Sequence, residues 1–397
     1  MRIVYCIPHL YNSGGMERVL TQKVNWLAAH TDYEITIVTT ELTPVGQNEV
    51  YFPLDERVRV EALGIDFNAD YHKPLLSKYI GHARRLRAYK RALINYIRAN
   101  EIDLCISLGG KEVAFISSLP CRTMVEFHFA KDHRQQLLDA NHTGWFWHLL
   151  GRIRTWQLVR DVRSADQIVV LTEKDRQDWQ QAGCTNVVCI PNPCAIKYRV
   201  LSSEYRVQSS EYRVVSSEYR VQSIKTLLAV GRLHEQKGFD MLLEAWNNVQ
   251  CTKDWMLCIV GEGEQRKKLE EQIRDLHLSN VVLAGRVENM VEEYAAASLF
   301  VLSSRYEGLP LALIEAMGCG VPCVSFDCPH GPAELLKDDR GWLVPAMDVA
   351  GLVKQIAYAM NHSEEAMERA QRAQEYAYEK YSEASIMPQW VQLIENI

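Results

Sequence analysis

This sequence holds no apolar run of the ~20 residues that a bilayer-spanning helix requires. Its first residues, Met1-Arg2-Ile3-Val4-Tyr5-Cys6-Ile7-Pro8, are too short an apolar stretch for a secretory leader, with no cleavage-like site behind them. A cytoplasmic protein is expected. Disordered, collagen-like and fibrous classes are excluded as well, because 47% of the residues are hydrophobic and 24% charged, with 21 glycines and 13 prolines. CxxC pairs are absent. The 11 cysteines are odd in number and scattered. The tightest group, Cys319, Cys323 and Cys328, lacks the spacing of metal ligands, and reduced, partly buried thiols fit it better. Nor is there an aromatic-basic RNA-binding motif, and the formal net charge is −6, so no nucleic-acid partner is expected.

What the chain does have is length and alternation. Its 397 residues suit two domains with real cores. In the first half, short apolar runs read as strands at Arg2–Pro8, Glu34–Thr40, Leu104–Ser107, Thr123–Phe127 and Gln167–Leu171. Helical periodicity covers Glu17–His30, with Val19, Leu20, Val24 and Leu27 on one face. It also covers Leu75–Arg98, where Leu76, Tyr79, Ile80, Ala83, Leu86, Leu93 and Ile97 set the apolar face. The second half repeats the scheme, with strands expected at Thr226–Val230, Met256–Val260, Val281–Ala284, Leu299–Leu302 and Pro322–Phe326. The helices between them fall at Gly238–Val249, Glu264–Leu276, Val291–Ala297, Pro310–Gly318 and Pro332–Lys337. Apolar strands separated by helices specify parallel sheets covered on both faces. Two Rossmann-like α/β domains follow, over residues 1–195 and 224–375. A final segment, 376–397, carries Trp390, Leu393 and Ile394 and is expected to pack back across the domain junction.

Between the halves, residues 196–223 contain a heptapeptide repeat: Ser202–Gln208, Ser209–Val215 and Ser216–Gln222 read SSEYRVQ, SSEYRVV and SSEYRVQ. Tyr and Val sit two and then five apart, which is not a coiled-coil spacing. Closure entropy grows only logarithmically with loop length, so this reads as a tolerated linker expansion.

Charge is uneven along the chain. Residues 1–200 hold 25 Lys and Arg against 21 Asp and Glu, and residues 201–397 hold 19 against 29. Eight cations and no acid lie between Lys73 and Arg98. Such a run is either the solvated face of a helix or a surface for an anionic membrane. The stretch with Trp145, Trp147, Arg152, Arg154, Trp156, Arg160 and Arg163 carries the same two readings.

Three elements carry chemistry. Gly14-Gly15 lies between the first strand and first helix, where backbone can approach a ligand closely and a helix N-terminus favours an anion; packing is the competing reason for such glycines. Arg232 and Lys237 follow the first strand of the second half, at the sheet edge where doubly wound folds bind ligands. A planar guanidinium beside a point-charge ammonium suits a pyrophosphate, although either alone reads as a solvated surface charge. Finally, Arg305–Gly318 places Glu307 in the loop before a helix and Glu315 inside that helix among Leu311, Leu313, Ile314 and Met317. A carboxylate there needs hydrogen-bond donors, from a vicinal diol such as ribose or from a buried ion pair.

Glu307 and Glu315, with seven residues between them, resemble the E-x7-E signature of retaining glycosyltransferases of the GT-B fold, and most closely the large family 4. The resemblance spans nearly the whole chain. Gly14-Gly15-Met16-Glu17-Arg18 resembles the GGxER loop, Ile190-Pro191-Asn192-Pro193 the IPN motif and Gly231–Gly238 the GRL…KG segment. Val260-Gly261-Glu262-Gly263 and Gly285-Arg286-Val287 also match, in the same order. A GT-B architecture is implied, its two doubly wound domains facing a cleft.

The resemblance further implies roles. Arg232 and Lys237 would hold the donor diphosphate and neutralise the leaving group, while Gly14 and Gly15 would let the first domain's loop close over donor and acceptor. Glu315 would bind ribose hydroxyls. Glu307 would contact the donor sugar, with the Gly308 and Leu309 backbone beside it, and Val287 would lie near the base. His128 resembles the histidine placed near the transferred sugar, with a structural histidine as the alternative. Front-face attack, the diphosphate itself taking the acceptor proton, needs no separate general base. No DxD motif is present (Asp338-Asp339 sits in a turn), so neither metal nor other cofactor is expected.

The stretch Phe326-Asp327-Cys328-Pro329-His330-Gly331-Pro332-Ala333-Glu334 is similar to FDCPxGPxE in bacterial enzymes of capsule, exopolysaccharide and lipid-linked glycan synthesis. It implies a UDP-hexose or UDP-N-acetylhexosamine donor, with GDP-mannose as runner-up. The expected acceptor is a growing lipid-linked glycan, with peripheral docking on the inner membrane face. A sugar-nucleotide 2-epimerase shares the architecture but calls for acid/base residues in place of the GGxER and E-x7-E pair. A degenerate binding module should have lost one of Arg232, Lys237, Glu307 or Glu315, and all four are present.

Overall fold

The computed structural model describes residues 1–44, 49–67, 69, 72, 74–133, 135, 144–194, 224–250, 253–287 and 289–397. They form two compact units, Met1–Pro193 with Ile386–Ile397, and Cys194–Ser385. The repeat-bearing segment 196–223 lies outside the described residues.

The first unit is built on seven strands: β1 (Arg2–Ile7), β2 (Glu34–Thr39), β3 (Arg59–Ala62), β4 (Leu104–Ser107), β5 (Arg122–Glu126), β6 (Gln167–Val170) and β7 (Val187–Cys189). Their order is β3-β2-β1-β4-β5-β6-β7, and every pairing is parallel. The second unit repeats the plan with β8 (Lys225–Val230), β9 (Trp255–Val260), β10 (Val281–Gly285), β11 (Leu299–Leu302), β12 (Cys323–Asp327) and β13 (Trp342–Pro345). Their order is β10-β9-β8-β11-β12-β13, again all parallel. Both are doubly wound α/β sheets, as the alternation of apolar runs and helices predicts.

The central strands are buried along their length because helices cover both faces; Ile3, Val4, Tyr5, Leu227, Leu228 and Ala229 have no exposed surface. In α1 (Gly15–His30), Leu20, Val24 and Leu27 form the stripe that meets the sheet, joining Ile3, Tyr5 and Ile37 in one core cluster. Each such side chain contributes about 1.5–3 kcal/mol on burial.

Several expectations are corrected. The second unit runs to Ser385, not 375, because α11 (Ser363–Tyr381) buries Ala366, Ala370, Ala373 and Ala377 there. Gln374 also donates to the Gly318 carbonyl at 3.0 Å. Only Ile386–Ile397 joins the first unit, through Ile386, Met387, Trp390 and Ile394. The first unit's leading segment ends at Pro193, not 195. In α2 (Leu75–Ala99) the buried side is Tyr89, Leu93 and Ile97, whereas Tyr79 and Ile80 stand exposed. Tyr79 and Ile80, near the start of that helix, therefore face outward.

Three strands lie outside those expected from the sequence, and of them only β3 carries charged residues. The edge strand β3 is exposed at three of its four residues, β7 has three residues, and β13 closes the other sheet's far edge.

Candidate functional site

In a doubly wound sheet, ligands bind beyond the carboxyl ends of the strands where the strand order reverses. In the second unit that point lies between β8 and β11, which run side by side. The loops leaving these two strands carry Arg232, Lys237 and Glu307.

Local sequence fixes both loops. His234 caps a single 3-10 turn, Glu235–Lys237, its Nδ1 accepting from the Gln236 amide at 3.0 Å. Gly238 then turns left-handed at φ 62°, and a Cβ there would lie 2.1 Å from the Ser303 carbonyl oxygen. Only glycine lets the two loops approach this closely. α5 (Phe239–Asn248) begins at once behind it. The loops are then stitched together. Ser303 Oγ donates to the Lys237 carbonyl at 2.9 Å, and Gln236 Nε2 donates to the Tyr306 carbonyl at 2.9 Å. Arg305 forks onto Asp240 at 2.7 and 2.8 Å.

The result is a fixed charge cluster. Lys237 Nζ donates to Glu307 Oε1 at 2.6 Å, and Ser304 Oγ donates to the same oxygen at 2.6 Å. Glu307 is buried, while the Lys237 side chain keeps 20% of its surface exposed. Arg232 is directed elsewhere: its guanidinium meets Glu264 Oε2 at 3.1 Å, and His234 Nε2 lies 3.4 Å from the other oxygen of Glu264. Burial would raise the Glu264 carboxyl, but hydrogen bonds from its own backbone amide and Arg232 hold it below the ordinary glutamate value.

α8 (Leu311–Gly318) follows, with Pro310 at its N-cap and Glu315 buried one turn inside. Glu315 Oε2 accepts from the Tyr294 hydroxyl at 2.9 Å, reaching across from α7 (Met290–Ala296). Val287 is half-buried just beyond β10, Gly308 half-buried, and Leu309 buried. The second unit thus holds Arg232, Lys237, Val287, Glu307, Gly308, Leu309 and Glu315 together, with Arg232 and Lys237 engaging different acids.

The remaining candidates, Gly14, Gly15 and His128, belong to the first unit. Gly14 is the N-cap of α1 and Gly15 its first residue. The adjacent Glu17 carboxylate folds back on this end, with His9 Nδ1 3.3 Å from its Oε1. His128 lies two residues past the end of β5, its Nε2 3.3 Å from Glu126 Oε1. Glu126 also accepts from the Lys23 ammonium of α1, and both of these side chains are fully buried. Burial alone would raise the Glu126 carboxyl, but Lys23 and His128 outweigh it and bring it down to about 2. Burial pulls the Lys23 ammonium below its ordinary value, opposed by Glu126.

Sequence reasoning passed over Ser304, Glu264, Tyr294, Lys23 and Glu126 as functional groups. Lys23 carried a signal, since it interrupts the apolar stripe of Leu20, Val24 and Leu27. The pairings of Lys237 with Glu307 and of Arg232 with Glu264 carried none, because the partners lie 70 and 32 residues away.

Residues 13–197 match the family model described as Glycosyltransferase Family 4, and residues 224–362 match Glycosyl transferases group 1. The amylovoran biosynthesis glycosyltransferase AmsD of Erwinia amylovora is 28% identical over 355 residues, covering 86% of this chain and 85% of that one. A GalNAc-alpha-(1->4)-GalNAc-alpha-(1->3)-diNAcBac-PP-undecaprenol alpha-1,4-N-acetyl-D-galactosaminyltransferase of Campylobacter jejuni is 25% identical over 403 residues, covering 100% of this chain and 99% of its own. Among solved structures, a Staphylococcus aureus TarM variant in complex with fondaparinux, alpha-GlcNAc-glycerol and UDP aligns with a TM-score of 0.74 at 18% identity, over 99% of each chain.

Glu17 gives a pH test of the site in the first unit. Burial, the largest influence, raises its carboxyl above the ordinary value of 4.5, with His9 and His128 opposing. A raised acid contributes stability that is complete below the unfolded value and is lost as pH rises through the folded one. As pH rises from the ordinary glutamate value of 4.5 through the raised folded one, urea titrations should therefore move progressively in favour of Glu17→Gln relative to wild type. A difference that stays flat with pH counts against a buried carboxylate here.

Proposed function

The chain belongs to the glycosyltransferases of family 4 and group 1, with the two parallel-sheet domains of the GT-B fold, and on that premise we propose a retaining transfer from a UDP-sugar to a growing lipid-linked glycan. The donor sugar in this reading is a hexose or N-acetylhexosamine. The observation that carries it is the cluster of Lys237, Glu307 and Ser304 at the strand-order reversal of the second sheet. Lys237 is fixed by an acid and still one-fifth exposed, so it can meet a second anion without leaving its place.

The bond from the anomeric carbon to the diphosphate oxygen breaks while a bond to the acceptor oxygen forms on the same face. The acceptor proton passes to the departing phosphate oxygen. Lys237 and Arg232 offset the charge that builds on that oxygen, and removing one such group costs ~2.7–4 kcal/mol of barrier. Glu307, held from two sides, orients against the sugar, and the buried Glu315 accepts from the ribose hydroxyls. Gly14 and Gly15 let their loop close over donor and acceptor, and His128 lies near the transferred sugar. The UDP in the TarM complex supports the choice of nucleotide, and the undecaprenol-linked substrate named for the Campylobacter relative supports that of acceptor.

Membrane docking is part of the same reading. Among the described residues no helix is long and apolar enough to cross a membrane. One helix, α3 (Trp145–Val162), nevertheless exposes Trp145, Phe146, Leu149, Ile153 and Trp156, with Trp145 77% exposed. Arg152, Arg154 and Arg160 stand exposed on the same helix, and Leu158, Val159 and Val162 face the core. Aromatic residues beside arginines suit the interface of an anionic bilayer.

A thermal-shift series with UDP, GDP, ADP and dTDP tests the donor. UDP at about 100 times its dissociation constant should add ~2.7 kcal/mol, with the shift lost in Glu315→Ala. A shift with GDP instead favours mannosyl transfer, and none with any nucleotide sinks the reading in favour of a degenerate module. UDP release from the accepted donor should continue in excess EDTA, since the cations of the site are side chains; abolition by EDTA refutes this. In sedimentation, vesicles containing phosphatidylglycerol should bind the protein and neutral phosphatidylcholine vesicles should not, with Trp145→Ser/Trp156→Ser losing the binding. Equal binding to both, or none, removes the docking surface.

A further inference from the structure

Resting on the placement of His128 at the transferred sugar, a second set of residues acquires a task. β5 ends at Glu126, and alternation along the chain sets Glu126 and His128 on one side with Phe127 between them. Glu126 has no exposed surface, so water cannot satisfy it. One of its oxygens is taken by Lys23. The other lies 3.3 Å from His128 Nε2, and neither of those two atoms has a hydrogen-bond partner among the described residues.

Lys23 is itself held in place. Its ammonium lies 3.6 Å from the centre of the Trp390 ring and 5.8 Å from that of Tyr5. Trp390 is 1% exposed and belongs to the C-terminal segment that returns to the first unit. The order is therefore Trp390, Lys23, Glu126, His128, from core to edge. The groups facing His128 are the carboxylates of Glu126 and Glu17, and His9 faces Glu17 in turn.

A buried ion pair is weak evidence for stability, because apolar replacements of both partners are often at least as stable. Its orientation is the informative part. Lys23 keeps Glu126 ionised and takes one oxygen, leaving the second to receive a proton from the imidazole. A histidine that donates from Nε2 presents its Nδ1 as an acceptor.

We propose that Glu126, held by Lys23 and Trp390, is a positioning residue that fixes the ring and tautomer of His128, so that Nδ1 accepts a hydroxyl of the donor sugar.

The test uses the full-length protein, with nitrogen-15 histidine spectra and release of UDP from UDP-glucose and UDP-N-acetylglucosamine. Glu126→Leu alone strands the Lys23 charge, so the informative variants are Lys23→Met/Glu126→Leu and Lys23→Met/Glu126→Gln, in which no buried charge is left unpaired. The leucine double variant should regain the wild-type melting temperature, lose the Nε2–H form of His128, and release UDP at least about tenfold more slowly at unchanged donor KM. The glutamine double variant keeps a carbonyl acceptor for Nε2–H and should recover part of the rate. Wild-type turnover in the leucine double variant, once its stability has recovered, assigns the pair a purely structural role and overturns the proposal. So does a His128 spectrum that ignores Glu126. His128→Ala separates the two levels: if it turns over like wild type while the spectra do respond to Glu126, the placement of His128 at the sugar has failed, and the positioning role goes with it.

Discussion

Parallel pairing throughout both sheets is the constraint from which the rest follows. A parallel strand cannot be joined to its neighbour by a tight turn, so each connection crosses a face of the sheet, usually as a helix. Helices then cover both faces, and the central strands become uninterrupted apolar runs such as Ile3–Ile7 and Leu227–Ala229. Such a core admits polar groups only where they are paired, as Lys23 is with Glu126. All strands also end on one edge, and the loops there are free of the sheet's hydrogen-bond pattern. Polar chemistry collects at that edge, and the reversal of strand order opens a gap for it between β8 and β11.

A gap between loops is useful only if the loops are rigid. In the second unit rigidity comes from close backbone approach and from side chains bridging the two loops. Gly238 lets one loop rest against the Ser303 carbonyl, and Arg305 and Gln236 tie across from either side. Lys237 and Glu307 are therefore held near each other before any ligand arrives. Preorganised charge of this kind is where enzymes gain most of their electrostatic advantage.

The parts of the fold that rest on apolar repetition were legible in the sequence, and those that rest on main-chain pairing were not. The central strands and α1 announce themselves by Ile3, Val4, Leu20, Val24 and Leu27. The edge strand β3 pairs with β2 through its backbone while Arg59, Glu61 and Ala62 face solvent, so its composition resembles a loop. In α2, Tyr79 and Ile80 satisfy the helical period yet lie on turns that stand clear of the core. The candidate site divides similarly. Glu307 and Glu315 stand out by motif, and Glu315 also by its apolar neighbours. The Glu264 partner of Arg232 and the Tyr294 partner of Glu315 come from other crossovers, and only the folded topology brings them close.

The return of Ile386–Ile397 to the first unit bears on synthesis as well as on structure. Domains commonly fold in the order in which they leave the ribosome. Here the first 193 residues emerge without the segment that covers Leu20, Val24 and the Lys23 ammonium. About 190 further residues must be made first, which takes about 10–40 s at roughly 5–20 residues per second. During that interval the nascent first unit carries an uncovered apolar face with a cation in its middle. The second unit, whose elements are continuous in the chain, is complete about a dozen residues before the C-terminus. The domain begun first is thus the one finished last, and a chain stopped just after Ser385 leaves the first unit, not the second, as the target for chaperones and proteases.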